Sequence, residues 1–294
     1  MAGRRLEYGL LVVLATLWAA SYTFVALAVH EIPPLTLITA RTVIAGTALA
    51  MLLRLRGLRL PRDSATWWRC AVQSGLSSVS PFLLIAWGQQ SVPSALAVIL
   101  SSTSPIFAFL FGLAMGQAEA RSWRKALGVV VGFGGACLIL GWEAVSGPVE
   151  GVLPLLALLA SGACFGAGAH VARSLQTMDP MIPAAASLLI GSVLLLPLCL
   201  LTEEPWRLSP GPVAVLALLG LALLSTALAV LIYFRLLRTL GVVGTTAQAY
   251  LRLPIGTALG VFLLGETLPA TAWPGLALVM GGVVLMTLPQ RRYR

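Results

Sequence analysis

The chain has 294 residues, of which 59% are hydrophobic and only 10% are charged. Soluble domains carry about a quarter charged residues, so this composition excludes an ordinary water-soluble protein. The formal net charge of +9 is a feature that nucleic-acid-binding proteins share. The positions of the basic residues, described below, argue against that kind of partner.

Ten apolar stretches are long enough to cross a membrane, because a bilayer core needs about 20 apolar residues per helix. The first of them is too long for the core of a signal peptide, so we expect a retained helix. The sequence therefore predicts an all-α integral membrane protein. Its predicted spans are residues 7–28, 35–53, 66–88, 93–115, 123–141, 151–172, 181–201, 211–234, 242–265 and 270–288.

The basic residues are distributed unevenly between the two sides of this predicted topology. All but three of the 19 Lys and Arg residues fall on the side of the N-terminus. Arg207 falls on the other side, and Arg41 and Arg252 fall inside spans. Because cytoplasmic loops carry an excess of Lys and Arg, we expect both chain ends in the cytoplasm. The positive charge is thus a topology signal, and no nucleic-acid partner is expected.

Several short motifs recur at an offset of 147 to 149 residues, which indicates an internal repeat. The matching pairs are Pro105 with Pro254, Gly116-Gln117 with Gly265-Glu266, Gly134-Gly135 with Gly281-Gly282, and Trp18 with Phe165. We predict two five-helix halves, residues 1–147 and 148–294. Because five is odd, the second half is inverted relative to the first. Inverted repeats are typical of secondary transporters, which bind substrate between the halves near the bilayer midplane.

The same motifs resemble those of the EamA family in the drug/metabolite transporter superfamily. They are Pro33-Pro34-Leu35-Thr36 running to Arg41, Ser101-Ser102-Thr103-Ser104-Pro105 followed by Gly116-Gln117, and Leu253-Pro254 followed by Gly265-Glu266. The resemblance implies a ten-helix exporter of amino acids or related small metabolites. Within the family the chain is most similar to YddG-type amino-acid exporters. The family usually has Glu after the Gly in both halves, whereas the first half here has Gln117.

We expect the substrate to contact polar and aromatic side chains inside the spans. The candidates are Trp18, Tyr22, Ser78, Phe82, Ser101, Thr103, Phe165, Thr245, Gln248, Tyr250 and Arg252. Thr245, Gln248 and Arg252 are spaced i, i+3 and i+7, so they share one helix face. A cation on that face suits a substrate carboxylate. A structural hydrogen-bond network, or an Arg252 that snorkels to the interface, is the alternative.

Other candidates have structural interpretations beside the functional ones. Trp18 and Tyr22 face either a cavity or lipid. Arg41 is interpreted mainly as structural: it snorkels outward or pairs with Glu31 or Glu266. Pro105 and Pro254 are predicted gating hinges, because proline removes a backbone hydrogen bond and kinks a helix.

The main rival class, a membrane-embedded enzyme, lacks the residues that it needs. The sequence has only two histidines, which lie on different predicted spans, and no acidic residue at mid-span. We therefore expect no catalytic residues, no metal and no cofactor. Without a P-loop motif, we also expect transport that does not use ATP. The alternative transporter is an exchanger of sugar phosphates or nucleotide sugars, which would favour several cavity cations.

The remaining expectations concern location and partners. We expect a protein of the bacterial inner membrane, surrounded by lipid, that takes small-molecule substrates such as amino acids. We expect a monomer or a weak oligomer. Transport by alternating access of the two halves follows from the predicted repeat.

Overall fold

The computed structural model describes residues 2–116, 123–146, 149–240, 245, 248–268 and 270–287. Every regular element in these residues is helical. Numbered in chain order, the α-helices are α1 (Ala2–Ala28), α2 (Pro34–Leu55), α3 (Ser64–Ser74), α4 (Ser80–Gly88), α5 (Ser94–Ser101), α6 (Ser104–Ala114), α7 (Trp123–Ser146), α8 (Val149–Arg173), α9 (Met181–Thr202), α10 (Pro212–Ala222), α11 (Ala229–Thr239), α12 (Gln248–Ala258) and α13 (Ala272–Thr287).

Seven helical stretches among the described residues are long and apolar enough to cross a membrane. They are Leu6–Ala28, Pro34–Leu55, Ser64–Gly88, Ser94–Ala114, Gly151–Arg173, Met181–Thr202 and Pro212–Thr239. Each coincides with a predicted span. The other three predicted spans fall on α7, α12 and α13, and the spans on α12 and α13 include residues outside the described ranges. The total of ten spans and the inversion of the halves therefore stay predictions.

Short π-helical turns connect several of these helices. They occupy Gly75–Val79 between α3 and α4, Leu223–Leu228 between α10 and α11, and Leu259–Leu263 after α12. The first two begin 148 residues apart, which is the offset of the sequence repeat. Because π-helical turns often occur at functional sites, this pair indicates that the residues around both turns belong to a functional site.

The fourth predicted span is broken before Pro105. Helix α5 ends at Ser101 and α6 begins at Ser104, with Pro105 in the first turn of α6. Proline fits the first turn of a helix, whereas inside a continuous helix it would lack its N–H donor and clash with the carbonyl four residues earlier, which is that of Ser101. In contrast, Pro254 lies inside α12, which continues through it. The structure therefore has a helix break at Pro105 and a helix that includes Pro254, and the gating role of both prolines stays a prediction.

Glycines allow α7 and α13 to pack closely along each other. A Cβ atom on Gly282 would lie 2.5 Å from the carbonyl oxygen of Gly128, and one on Gly135 would lie 2.7 Å from that of Gly275. Their neighbours Gly134 and Gly281 have no atom within 4 Å of the corresponding position. One glycine of each repeated pair therefore faces the partner helix.

Polar contacts identify the two ends of the bundle. Glu7, near the start of α1, accepts hydrogen bonds from Arg235 at 3.0 Å and Thr239 at 2.9 Å. Glu31, after the end of α1, accepts one from the backbone N–H of Gly211 at 2.6 Å. We call the end at which α1 begins the proximal end and the end at which α2 begins the distal end. They are separated by roughly 40 Å, since α1 has 27 residues and a helix rises 1.5 Å per residue.

Candidate functional site

A cavity of about 150 Å³ lies inside the bundle and receives side chains from both predicted halves. Its volume holds roughly ten to fifteen water-sized spheres, which suits a small metabolite. Its lining is Trp18, Ser21, Tyr22, Val25, Arg41, Gln73, Ser77, Ser78, Phe82, Ile85, Ser104, Phe165, Ala169, Ser187, Val230, Tyr233, Phe234, Leu237, Thr245, Gln248 and Arg252.

Eight of the eleven candidate residues from the sequence line this cavity. They are Trp18, Tyr22, Ser78, Phe82, Phe165, Thr245, Gln248 and Arg252. Ser101 and Thr103 do not line it, because both are fully buried and donate hydrogen bonds to backbone carbonyls of their own helix. The Ser101 hydroxyl also lies 2.5 Å from the Tyr22 hydroxyl, behind the cavity wall. The side chain of Tyr250 lies outside the described part of the chain.

Arg252 is only 6% exposed and is held at the break between α5 and α6. One of its Nη atoms donates to the Ser102 hydroxyl at 2.9 Å. Its Nε is buried without a hydrogen-bond partner, as is Oε1 of Gln248, one turn earlier on the same helix face. The break leaves Ser102 outside a regular helix, so its hydroxyl is available to this arginine. Arg252 therefore remains inside the bundle and does not snorkel to either end.

Arg41 is placed differently from either sequence interpretation. It is 4% exposed and lines the cavity, so it does not snorkel. Its Nε donates to the Thr226 hydroxyl at 2.6 Å, and its guanidinium carbon lies 3.5 Å from the Phe82 ring centroid. The carboxylates of Glu31 and Glu266 are instead bound by backbone N–H groups. This cavity residue was missed because its position near the start of a span favoured the snorkelling interpretation.

The π-helical turns form part of the cavity environment. The first turn carries Ser77 and Ser78 at the cavity surface. The second carries Thr226, which lies 148 residues after Ser78 and orients Arg41. The Thr226 hydroxyl also donates to the Leu221 carbonyl at 2.7 Å, the i to i−5 spacing of a π-helix. The repeated turns thus place hydroxyl groups at corresponding points of the two halves.

Aromatic rings make up much of the remaining wall. Trp18 and Tyr233 have ring centroids 5.4 Å apart, and Phe82 and Phe165 have centroids 6.3 Å apart in an edge-on arrangement. Such pairs stabilise by about 0.5–1.5 kcal/mol beyond the area that they bury. Tyr233 was missed because it stands two residues before Arg235, where an interfacial aromatic is expected. The cavity surface therefore combines aromatic rings with hydroxyl, amide and arginine groups.

Gln73, Ser77 and Ser187 are further polar lining residues. The side-chain amide of Gln73 donates to the Ser77 hydroxyl at 3.0 Å, and its Oε1 is buried without a partner. A glutamine inside a predicted span was the available signal for this part of the site. Pro105 and Pro254 do not line the cavity.

Three carboxylates close the distal end of the bundle by capping helices that begin there. Glu203 accepts from the N–H groups of Leu35 and Thr36 at 3.3 and 2.5 Å. Glu266 accepts from those of Ser94 and Ala95 at 2.7 and 2.9 Å, and Glu31 caps the start of α10 through Gly211. Carboxylates stabilise helix N-termini because they satisfy free N–H groups and oppose the helix dipole.

Each of these caps joins one predicted half to the other. Glu203 and Glu266 lie in the second half and cap helices of the first, and Glu31 does the reverse. None of the described cavity-lining residues belongs to the distal connections. At the other end the lining reaches Leu237, two residues before Thr239, which bonds to Glu7 at the proximal end. The lining therefore extends from Val25 and Ile85, three residues before the distal ends of α1 and α4, to Leu237 near the proximal end, and the caps hold the distal ends of the helices together.

Comparison with known proteins identifies what this chain resembles. The model of the EamA-like transporter family matches twice, over residues 5–141 and 152–288. A crystal structure with 20% sequence identity superposes with a TM-score of 0.68, over 98% of this chain and 99% of the other. At that identity the similarity establishes the fold alone.

Several curated proteins align over nearly the whole chain. The uncharacterized inner membrane transporter YedA of Escherichia coli is 27% identical over 96% of this chain and 90% of its own length. The probable terminal-alkyne amino-acid exporter of Streptantibioticus cattleyicolor is also 27% identical, over 96% of this chain and 94% of its own length. The uncharacterized transporter YwfM of Bacillus subtilis is 24% identical over 98% of this chain and 96% of its own length.

Proposed function

Because this chain belongs to the EamA-like transporter family of the drug/metabolite transporter superfamily, we propose that it exports amino acids or related small metabolites. The observation that carries the proposal is the buried cavity between the predicted halves, with its mixed aromatic, hydroxyl and arginine lining. A closed helical surface without polar groups would offer no site for a hydrophilic solute. The proposed location is a bacterial inner membrane, as stated in the name of YedA.

The amino-acid part of the proposal has two supports. One relative is named as an amino-acid exporter. In addition, Arg252 offers donors to a carboxylate, the group that all amino acids share. A lone charge at the centre of a membrane helix costs roughly 2.5–3.5 kcal/mol on insertion scales, so a substrate that neutralises Arg252 recovers part of this penalty on binding.

We propose alternating access as the mechanism, with the three distal caps as the closed gate. In the described conformation Glu31, Glu203 and Glu266 hold the halves together distally, and in this proposal the cavity opens to the proximal end. Opening the distal end requires these caps to separate, after which solvent replaces the carboxylates at the helix starts. In this mechanism the substrate shifts the equilibrium through its different affinity for the two conformations.

Reconstitution tests this proposal directly. Purified protein in sealed liposomes, without ATP, is expected to exchange radiolabelled amino acids faster than protein-free liposomes. A boiled preparation controls for leakage, and an excess of unlabelled substrate should compete with the labelled one. Absence of saturable flux for amino acids, with saturable flux of a sugar phosphate, would contradict the amino-acid assignment.

The second candidate function is exchange of sugar phosphates or nucleotide sugars. The sequence offered Arg252 as a cavity cation, and the structure adds Arg41 to the cavity lining. A second cation favours a more strongly anionic substrate such as a sugar phosphate. The small cavity volume favours a sugar phosphate over a nucleotide sugar. The same liposomes distinguish the two candidates when they are loaded with sugar phosphate in place of amino acid.

A further inference from the structure

The charges that face the cavity do not balance. Arg41 and Arg252 both line it and are both more than nine-tenths buried, and none of the described lining residues is acidic. The ion pairs described for this chain join Glu204 to Arg207 at the distal end of the bundle and Glu7 to Arg235 at its proximal end. The carboxylates at the distal end are bound to backbone N–H groups. Two buried positive charges therefore lack a protein counter-ion in the described part of the chain.

Each arginine is fixed in place yet keeps unused donors. Arg41 uses Nε on Thr226 and rests against Phe82, and neither of its Nη atoms bonds to a described residue. Arg252 uses one Nη atom on Ser102, and its Nε has no partner. A guanidinium presents five N–H donors in a planar fork that matches a carboxylate or a phosphate. Both side chains are therefore oriented in advance for an anionic ligand.

The two arginines belong to different walls of the cavity. Arg41 extends from α2 and contacts Thr226 and Phe82, on the α10–α11 and α4 side. Arg252 extends from α12 and contacts Ser102, at the break after α5. The two sites share no contacting residue in the described part of the chain, and the cavity that both arginines line is small. This arrangement suits two acidic groups joined by a short carbon skeleton.

We infer that the preferred cargo is a small organic dianion, meaning a molecule with two anionic groups, such as an acidic amino acid, with one group on Arg252 and the second on Arg41. This inference rests on the proposed transport function and specifies its substrate class. A ligand with a single carboxylate neutralises one arginine and leaves the other charge buried without a partner, which is unfavourable in a low-dielectric site. A dianion neutralises both. Among ligands of similar size, the site therefore prefers those with two anionic groups over those with one.

Glutamate and glutamine form a matched pair of probes, because a neutral amide replaces the second carboxylate on the same skeleton. Full-length protein in lipid nanodiscs is titrated with each by calorimetry. We expect glutamate to bind at least about tenfold more tightly, the ratio for one additional charge-assisted interaction. Phosphoserine and serine form a second pair, which shows whether phosphate serves as the second acidic group.

Variants then assign the discrimination to Arg41. Arg41→Gln is expected to reduce the glutamate-to-glutamine ratio to about one, with glutamine affinity unchanged within about twofold. Arg252→Gln should weaken both ligands. Arg207→Gln, which removes an exposed arginine far from the cavity, is the matched control and should retain the wild-type ratio. Arg41→Lys keeps the positive charge but loses the paired N–H donors of the guanidinium, and it should give an intermediate glutamate-to-glutamine ratio.

Two results would overturn the inference. A wild-type ratio near one for both probe pairs would do so, whether or not any variant folds. Equal loss of glutamate and glutamine binding in Arg41→Gln would assign Arg41 a structural role. If liposomes still exchange neutral amino acids in that case, the transport function stands and only the dianion preference is lost. Absence of flux for amino acids and organic acids alike would remove the proposed function itself.

Discussion

Arg41 illustrates how single residues in this protein acquire their role from neighbours that are distant in sequence. Its partner Thr226 lies 185 positions away, within a π-helical turn of the other predicted half. A threonine hydroxyl orients the guanidinium without neutralising it. A carboxylate at the same point would form a buried ion pair and leave no charge for a ligand. The neutral partner is thus consistent with a site that binds anions.

The paired glycines of α7 and α13 provide a prediction at the residue scale. Gly282→Ala should destabilise the protein by about 1–3 kcal/mol, the range for overpacking, because its Cβ would meet backbone atoms of Gly128 and Gly132 within 2.7 Å. Gly281→Ala is the control and should be neutral, since its Cβ position has no atom within 4 Å. Thermal unfolding in detergent measures both. Equal losses in the two variants would mean that helix crowding is not the cause.

At the scale of helices, the capped helix N-termini at the distal end are the main contacts that join the two predicted halves. Three helices that begin there are capped by carboxylates from the opposite half. The sequence counterpart of Glu266 in the first half is Gln117, and that of Glu203, at the offset of 147, is Arg56. The repeat therefore does not provide the same acidic residues for the proximal side. In the proposed mechanism this asymmetry favours closure of the distal end.

Glu266→Gln should weaken distal closure. The amide retains one acceptor oxygen, but its NH₂ group faces a backbone N–H and cannot accept from it. The closed conformation should therefore lose about 1 kcal/mol of stability. This corresponds to roughly a fivefold shift of the population towards distal opening. Spin labels at the exposed distal positions Gln90 and Trp206 measure the change as a longer distance component. Glu204→Gln, at the same end, is the control because Glu204 pairs only with the exposed Arg207. An unchanged distance distribution would leave Glu266 a purely stabilising residue.

The two repeated prolines should now behave differently. Pro105→Ala permits α5 to continue into α6, which would draw Ser102 into a helix and away from Arg252. We expect several-fold weaker substrate binding and slower exchange. Pro254→Ala should have a smaller effect on both, because α12 is already continuous. Equilibrium binding and liposome flux measured on each variant test this, and wild-type behaviour of Pro105→Ala would remove the helix break from the mechanism.

At the scale of the whole molecule, the bundle combines an inner cavity with an outer helix pair. Helices α7 and α13 contribute no described residue to the cavity lining and pack on each other. The other long helices surround the cavity and meet at the distal caps. Under the proposed mechanism the cavity-lining helices would rearrange while the glycine-packed pair keeps its contacts.

The prediction at this scale concerns which end of the bundle faces the outside of the cell. Single cysteines at Arg59 and Arg207, in a background without the four natural cysteines, should react with a membrane-impermeant reagent from opposite sides. Both positions are exposed, and they lie at the proximal and distal ends respectively. The distribution of basic residues predicts that the distal position alone reacts in intact cells. Labelling of both positions from outside would contradict the predicted arrangement.

Composition, charge distribution and the internal repeat were sufficient to predict a helical membrane transporter, because span length and loop charge are local properties of the sequence. The polar face of Thr245, Gln248 and Arg252 followed from helix periodicity in the same way. The EamA family was predicted from the resemblance of the repeated motifs. The cavity role of Arg41, the partner of Arg252 and the function of Glu203 and Glu266 as caps could not be predicted. Each depends on which helices meet, and only the tertiary structure decides those contacts between residues more than 100 positions apart.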